Sequence, residues 1–254
     1  MPQETVSTPP SLRPPLFGGI SASALRVLAM VTMLLDHMWA TVIPGNFWMT
    51  CVGRLAFPIF AFQIAEGFFH TANRRRYVKR LLVTALIAEI PFDLVQGSTV
   101  FYPFHQNTIF TLLLGLWAVC IIDAARADHT PHSWLQCSGK LLGIWLLSLI
   151  GMVDYGWKGV ATVVVFYLFR NFRGARLCQL AAMVILHSLL MEGQVFPLFD
   201  GAYSLPVQSL AILALIPIWL YNGKRGFGGK AFQYAAYGFY PLHLIVLYLI
   251  FSLR

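Results

Sequence analysis

Ala24-Leu-Arg26-Val-Leu-Ala-Met-Val-Thr-Met-Leu-Leu-Asp36-His37-Met-Trp-Ala-Thr-Val-Ile43 is followed, across a Pro44-Gly45-Asn46 turn, by Phe47-Trp-Met-Thr-Cys-Val-Gly53-Arg54-Leu-Ala56-Phe57-Pro58-Ile-Phe60-Ala61-Phe-Gln-Ile-Ala-Glu66-Gly67-Phe-Phe-His70. Each run is about as long as a bilayer core is thick, roughly 20 residues at 1.5 Å each. Yet the two carry Asp36, His37, Arg54 and Glu66. A charge inside such a segment costs about 2 to 3 kcal/mol even on the mildest insertion scale. Charges placed there face a cavity or one another, and function is their default explanation.

The rest of the chain agrees with a membrane protein. Of 254 residues, 58% are apolar and 11% charged, where a soluble domain carries about 25% charge. Mean hydropathy is +0.68. The net charge of +8 does not indicate a nucleic-acid partner. The basic residues lie in short clusters between apolar runs instead of along one polar face. Cys51, Cys120, Cys137 and Cys178 are far apart with no C-x-x-C spacing, so neither a disulfide framework nor a metal site is expected.

Nine apolar segments are expected to be helices: 22–43, 47–70, 78–95, 107–124, 139–153, 157–169, 177–190, 206–222 and 231–252. This is an all-α, polytopic integral membrane bundle, with residues 21–254 as one domain. Residues 1–20, rich in proline, are expected to be a disordered tail. If loops alternate sides across nine spans, fifteen of the eighteen Lys and Arg fall on one side. That asymmetry predicts a cytoplasmic N-terminus and an outside C-terminus. The cluster Arg74-Arg75-Arg76-Tyr-Val-Lys79-Arg80 is the strongest inner signal. It suits anionic headgroups and polyphosphates equally, since Arg binds phosphate through two donors.

In depth, Asp36, His37 and Arg54 fall in the outward halves of their helices. Asp36 reads either as the structural partner of Arg54 or as support for catalysis. His37, with an acid beside it and a cation opposite, is the expected catalyst. Glu89 and Asp93, four apart, share a helix face, and Asp93 is expected to cap that end in water. Asn107 opens the fourth segment, and Asp154-Tyr155-Gly156 joins the fifth and sixth. Glu66 is expected to pair with the Arg74–Arg80 cluster. His105, His129, His132 and His187 are assigned no role.

Asp36-His37, Gly53-Arg54-x-Ala56-Phe57-Pro58-x-Phe60-Ala61, Glu66-Gly67-Phe, Tyr77-x-x-Arg80-Leu, Glu89-Ile-Pro91-Phe92-Asp93, Gln106-Asn107, Tyr155-Gly156-x-x-Gly159 and Tyr240-Pro-Leu-His243-Leu resemble the TraX family. Its members are known for N-acetylating conjugative pilin, and they are similar to a wider set of transmembrane acyltransferases. The resemblance implies a membrane-embedded acetyltransferase of the bacterial inner membrane. Acetyl-CoA from the cytoplasm would be the co-substrate and a pilin-like protein or envelope glycan the acceptor. His37 would be catalytic with Asp36 and Arg54 in support. Arg75, Arg76 and Arg80 would receive CoA, and Glu66, Glu89, Asn107, Tyr155, Tyr240 and His243 would line the substrate path. The residues fit that chemistry by themselves: acyl transfer to an amine needs a base and an oxyanion partner. Imidazole can be the first and Arg54, which keeps its proton, the second. Two other classes compete: a proton-coupled transporter, and an assembly protein whose buried charges are structural. Against the transporter, no internal repeat of two similar halves is visible.

Overall fold

The computed structural model describes residues 19–191, 193–198 and 203–253. It contains α1 (Ala22–Thr41), α2 (Trp48–Gly53), α3 (Ala56–His70), α4 (Arg74–Gly97), α5 (Thr108–Asp128), α6 (Pro131–Ile150) and α7 (Gly156–Leu168). Then comes α8 (Ala175–Val184), which loosens into a π-helical stretch, Ile185–Leu190. A hairpin follows, β1 (Val195–Leu198) and β2 (Tyr203–Pro206), antiparallel with Val195 opposite Pro206. A 3-10 stretch, Val207–Ala214, runs into α9 (Leu215–Trp219), and α10 (Gly229–Ser252) ends the described chain.

Each expected apolar segment is helical over most of its length. Among the described residues, four helical runs are long and apolar enough to cross a membrane: Trp48–His70, Thr108–Asp128, Pro131–Ile150 and Gly229–Ser252. The stretches Gly156–Leu168, Ala175–Leu190 and Val207–Trp219 are apolar but shorter. The expected tail lies outside the described residues except for its last two. Of these, Ile20 is tied to the end of α9, donating to the Leu220 carbonyl at 2.7 Å and accepting from the Asn222 amide at 3.0 Å.

The helix ends follow from their caps. Asn73 accepts from the Arg76 amide and starts α4 ahead of its apolar stretch. Thr130, with Pro131 behind it, accepts from the Ser133 amide and starts α6 eight residues before the expected 139. Lys140, at the edge of the expected segment, lies well inside α6. A cap of this kind satisfies donors that the first turn leaves open, whatever the hydropathy that follows.

The second segment is not one helix. It breaks at Arg54-Leu55, between α2 and α3. Pro58 explains the break: it has no N–H for the Arg54 carbonyl, and its ring crowds that carbonyl, so it is tolerated only in a first turn. Below the break, α3 is the centre of the molecule, packed on α1, α5 and α7. Its Ile59, Ala61, Ala65 and Phe68 are essentially inaccessible. Glycines let neighbours come close, as small residues do between membrane helices. A Cβ at Gly115 of α5 would run into Val163 of α7, and one at Gly53 into the Asp36 side chain.

Two expected pairings are corrected. Among the described residues Glu66 makes no ion pair with the Arg74–Arg80 cluster. Its carboxylate accepts from Arg170 Nε at 2.5 Å and Nη2 at 3.0 Å, because the end of α3 abuts the end of α7. Asp93 is not a wet cap. It is buried and accepts from the Tyr102 amide at 2.9 Å, closing the loop after α4.

Candidate active site

Arg54 sits at the break in the second segment, between α2 and α3. Its guanidinium donates to Asp36 of α1, to Gln208 Oε1 at 3.3 Å and, through Nε, to the Thr50 carbonyl at 3.3 Å. Three of five donors are used by these bonds, and the guanidinium is held on three sides.

Gln208 passes the arrangement on. With its oxygen on Arg54, its amide nitrogen donates to His187 Nδ1 at 3.0 Å. His187, fully buried, then carries its proton on Nε2, which faces the Thr162 hydroxyl at 3.1 Å. Thr162 in turn donates to the Lys158 carbonyl at 2.9 Å. From Gln208 through His187 to Thr162 each group donates a hydrogen bond to the next, the ordering that buried polar networks impose. Neither Gln208 nor His187 sits in ordinary α-helix: the 3-10 stretch holds one and the π-helical stretch the other. π turns recur at functional sites.

His37 of α1 faces α10. Its Nδ1 lies 2.6 Å from His243 Nε2, and the two rings are nearly parallel, 3° apart. Tyr240 stands edge-on to both imidazoles.

The opposite wall is built from the turn between α6 and α7. Tyr155 takes a left-handed backbone, φ +61°, and its ring stacks on Phe57 with centroids 3.9 Å apart. Asp154 beside it accepts from the Thr108 hydroxyl and the Tyr155 amide. His105 Nε2 is 3.5 Å from the same carboxylate. That hydrogen bond to Asp154 holds the His105 pKa above its ordinary value, against partial burial. Gln106 and Val153 pair in parallel, which joins the loop before α5 to this turn. Behind them Asn107, fully buried, donates to Glu89 and to the Ala85 carbonyl while capping α5.

Three cavities abut in series. The first, about 550 Å³, is the His37 chamber, lined by Asp36, His37, Arg54, Phe57, His105, Asp154, Tyr155 and Gln208 among others. The second is a narrow waist of about 110 Å³. It shares Met33, Phe60 and Thr108 with the chamber and also meets Tyr77, Tyr237 and Tyr240. The third, about 490 Å³, is the arginine mouth, where Arg26, Arg80 and Arg225 converge with Gln63, Glu66 and His70. Arg26, Gln63 and Gln233 line both waist and mouth. The buried Arg80 Nε has no hydrogen-bond partner among the described residues.

The expected site residues therefore divide. Asp36, His37, Arg54 and Tyr155 meet in the chamber. Tyr240 lines the waist. Glu66 and Arg80 line the mouth, whereas Arg75 and Arg76 are exposed and line none of the three cavities. Glu89 and Asn107 pair behind the chamber wall, and His243 stands behind His37. Sequence reasoning missed His105, Gln208, His187, Arg26 and Arg225. Only Arg26 carried a usable signal, a cation one turn into an apolar helix.

The TraX protein family model matches residues 21–251. This chain belongs to the TraX family. It is 32% identical over 244 residues to a probable fimbrial assembly protein FimC, serogroup H1, of Dichelobacter nodosus, covering 89% of this chain and 94% of that relative. No solved structure matches this TraX-family chain.

Proposed function

We propose that this TraX-family protein is a transmembrane N-acetyltransferase. It moves an acetyl group from cytoplasmic acetyl-CoA to an amine at the far face of the bacterial inner membrane, the acceptor being a pilin N-terminus or another envelope molecule. The observation that carries this reading is the serial arrangement of the three cavities. A cationic mouth suits phosphates, a narrow waist suits a thin pantetheine arm, and a chamber with imidazole and guanidinium suits acyl transfer. Arg26, Arg80 and Arg225 are the phosphate contacts in this reading, and the unpaired buried Arg80 Nε supports it.

All nine apolar segments span the membrane, N-terminus inside and C-terminus outside. The helix ends and loops holding Arg74, Arg75, Arg76, Arg170, Arg173, Arg176, Lys224 and Arg225 then lie at the cytoplasmic face, as the positive-inside rule requires. Arg54 and Glu66 are twelve residues apart on the second segment, about 18 Å of helix rise, so chamber and mouth serve opposite faces.

In the chamber the acceptor amine attacks the thioester carbonyl and His37 takes the amine's proton. The carbonyl oxygen becomes an oxyanion, and the donors of Arg54 not held by protein groups face it. Collapse expels the CoA thiolate, which takes the proton back from His37, leaving an amide and free CoA.

The name of the fimbrial relative favours one rival, an assembly protein without chemistry. Mass spectrometry of the envelope separates the two. One acetyl group on an envelope acceptor only when this chain is present supports transfer, and acceptors of unchanged mass with altered pilus assembly support the rival. Sealed vesicles of known orientation then test sidedness. Transfer when acetyl-CoA is confined to the outer face would contradict the model.

A further inference from the structure

The pairing of His37 with His243 has a chemical polarity that the acyl-transfer reading does not itself supply. His243 Nδ1 lies 2.8 Å from the Phe239 carbonyl. A carbonyl oxygen only accepts, so His243 Nδ1 carries a proton. His243 is buried against Phe239 and Tyr240, and no carboxylate among the described residues is paired with it. A buried cation without a counter-charge is costly, which makes the ring neutral. Its Nε2, then, has a lone pair and no proton. The 2.6 Å contact to His37 Nδ1 needs one proton between the two nitrogens, and only His37 can provide it.

We propose that His243 is a positioning residue that holds His37 in the Nδ1–H tautomer and so keeps the Nε2 lone pair free on the ring edge away from α10. His37 Nε2 has no hydrogen-bond partner among the described residues, and His37 itself lines the chamber. In a neutral imidazole, the hydrogen bond at one nitrogen decides which nitrogen is basic. The backbone of α10 thus sets, through His243, which atom of His37 can take a proton. The inference rests on the acyl-transfer reading for what the lone pair does, and on geometry alone for where it is.

The test reads both levels. The protein is labelled with ¹⁵N-histidine in lipid nanodiscs, and the His37 resonances are assigned by their loss in His37→Ala. Wild-type His37 is expected to show a protonated Nδ1 and a bare Nε2. In His243→Leu, which removes the acceptor, the His37 proton should move to Nε2, the tautomer preferred in free imidazole. Acetyl transfer should fall at least tenfold in kcat with KM for acetyl-CoA unchanged, since a wrong tautomer disables a base that is still in place. His243→Gln, whose side-chain carbonyl can accept from His37, should recover most of the activity. A wild-type proton on His37 Nε2 overturns the inference even if both variants fail to fold. So does His243→Leu with unchanged tautomer and kcat. Should wild type transfer no acetyl group while its His37 shows the expected tautomer, the acetyltransferase reading fails and the positioning stands.

Discussion

Arg54 donates to Asp36 across the break between α2 and α3, joining two neighbouring segments at the point where one of them loses its helical hydrogen bonds. Removing one charge of such a pair leaves the other half-buried and uncompensated, commonly a loss of about 3–5 kcal/mol. Asp36→Asn with Arg54→Gln should therefore fold better than either single variant, as a double-mutant cycle of thermal stabilities would reveal. If Arg54 also serves the oxyanion, the double variant stays inactive. Recovery of transfer in it would reduce the pair to a structural clamp.

His37→Ala is expected to lower acetyl transfer by two orders of magnitude or more while leaving expression and insertion intact, because alanine has nothing to take the amine's proton. Purified protein assayed with acetyl-CoA and a short amine-terminated peptide gives the comparison. Wild-type rates from a well-folded His37→Ala protein would remove His37 from the chemistry.

Gly53→Ala should be destabilising out of proportion to one methyl group. The new Cβ would overlap the Asp36 side chain at its own Cβ and Cγ, atoms that cannot swing aside without moving α1. Overpacking of this sort costs about 1–3 kcal/mol. A lower melting temperature together with lost activity is the expected result, and Gly139→Ala, where a Cβ meets open space, is the control. Equal melting temperatures for the two variants would argue against the close approach.

His105 gives the molecule a pH dependence of known sign. Its pKa is raised by the hydrogen bond to Asp154, so the folded state binds the proton more tightly than the unfolded chain. The stabilisation is complete below the ordinary imidazole value near 6.5 and fades as pH rises through the higher folded value. The melting-temperature gap between wild type and His105→Gln should be widest in mild acid and close in mild alkali. A gap that widens with rising pH would contradict the pairing.

Much of this was legible in the chain because hydropathy and caps are local. All nine apolar runs are helical, and Asp36 with Arg54 stood out because each is charged in an apolar run. What stayed hidden came from distance along the chain. Gln208 reaches Arg54 across 154 positions and Arg170 reaches Glu66 across 104, and no spacing rule connects such residues. The early start of α6 was missed for another reason: a cap, Thr130-Pro131, opened a helix whose first turns are polar.

The waist between chamber and mouth has a consequence for the cell as a whole. At about 110 Å³ it has room for only a few water molecules, between the apolar walls of Met30, Met33, Phe60, Ile64, Leu81 and Leu112 and the polar ends of Arg26, Gln63 and Gln233. A cation leaving bulk water would meet a narrow passage carrying the fixed positive charge of Arg26 and few groups to replace its hydration shell. A protein drilled from both faces can thus remain an electrical insulator. Shaving Met33 and Phe60 to alanine should turn the resting protein into a leak, visible as ion conductance across a planar bilayer that the unaltered chain leaves silent.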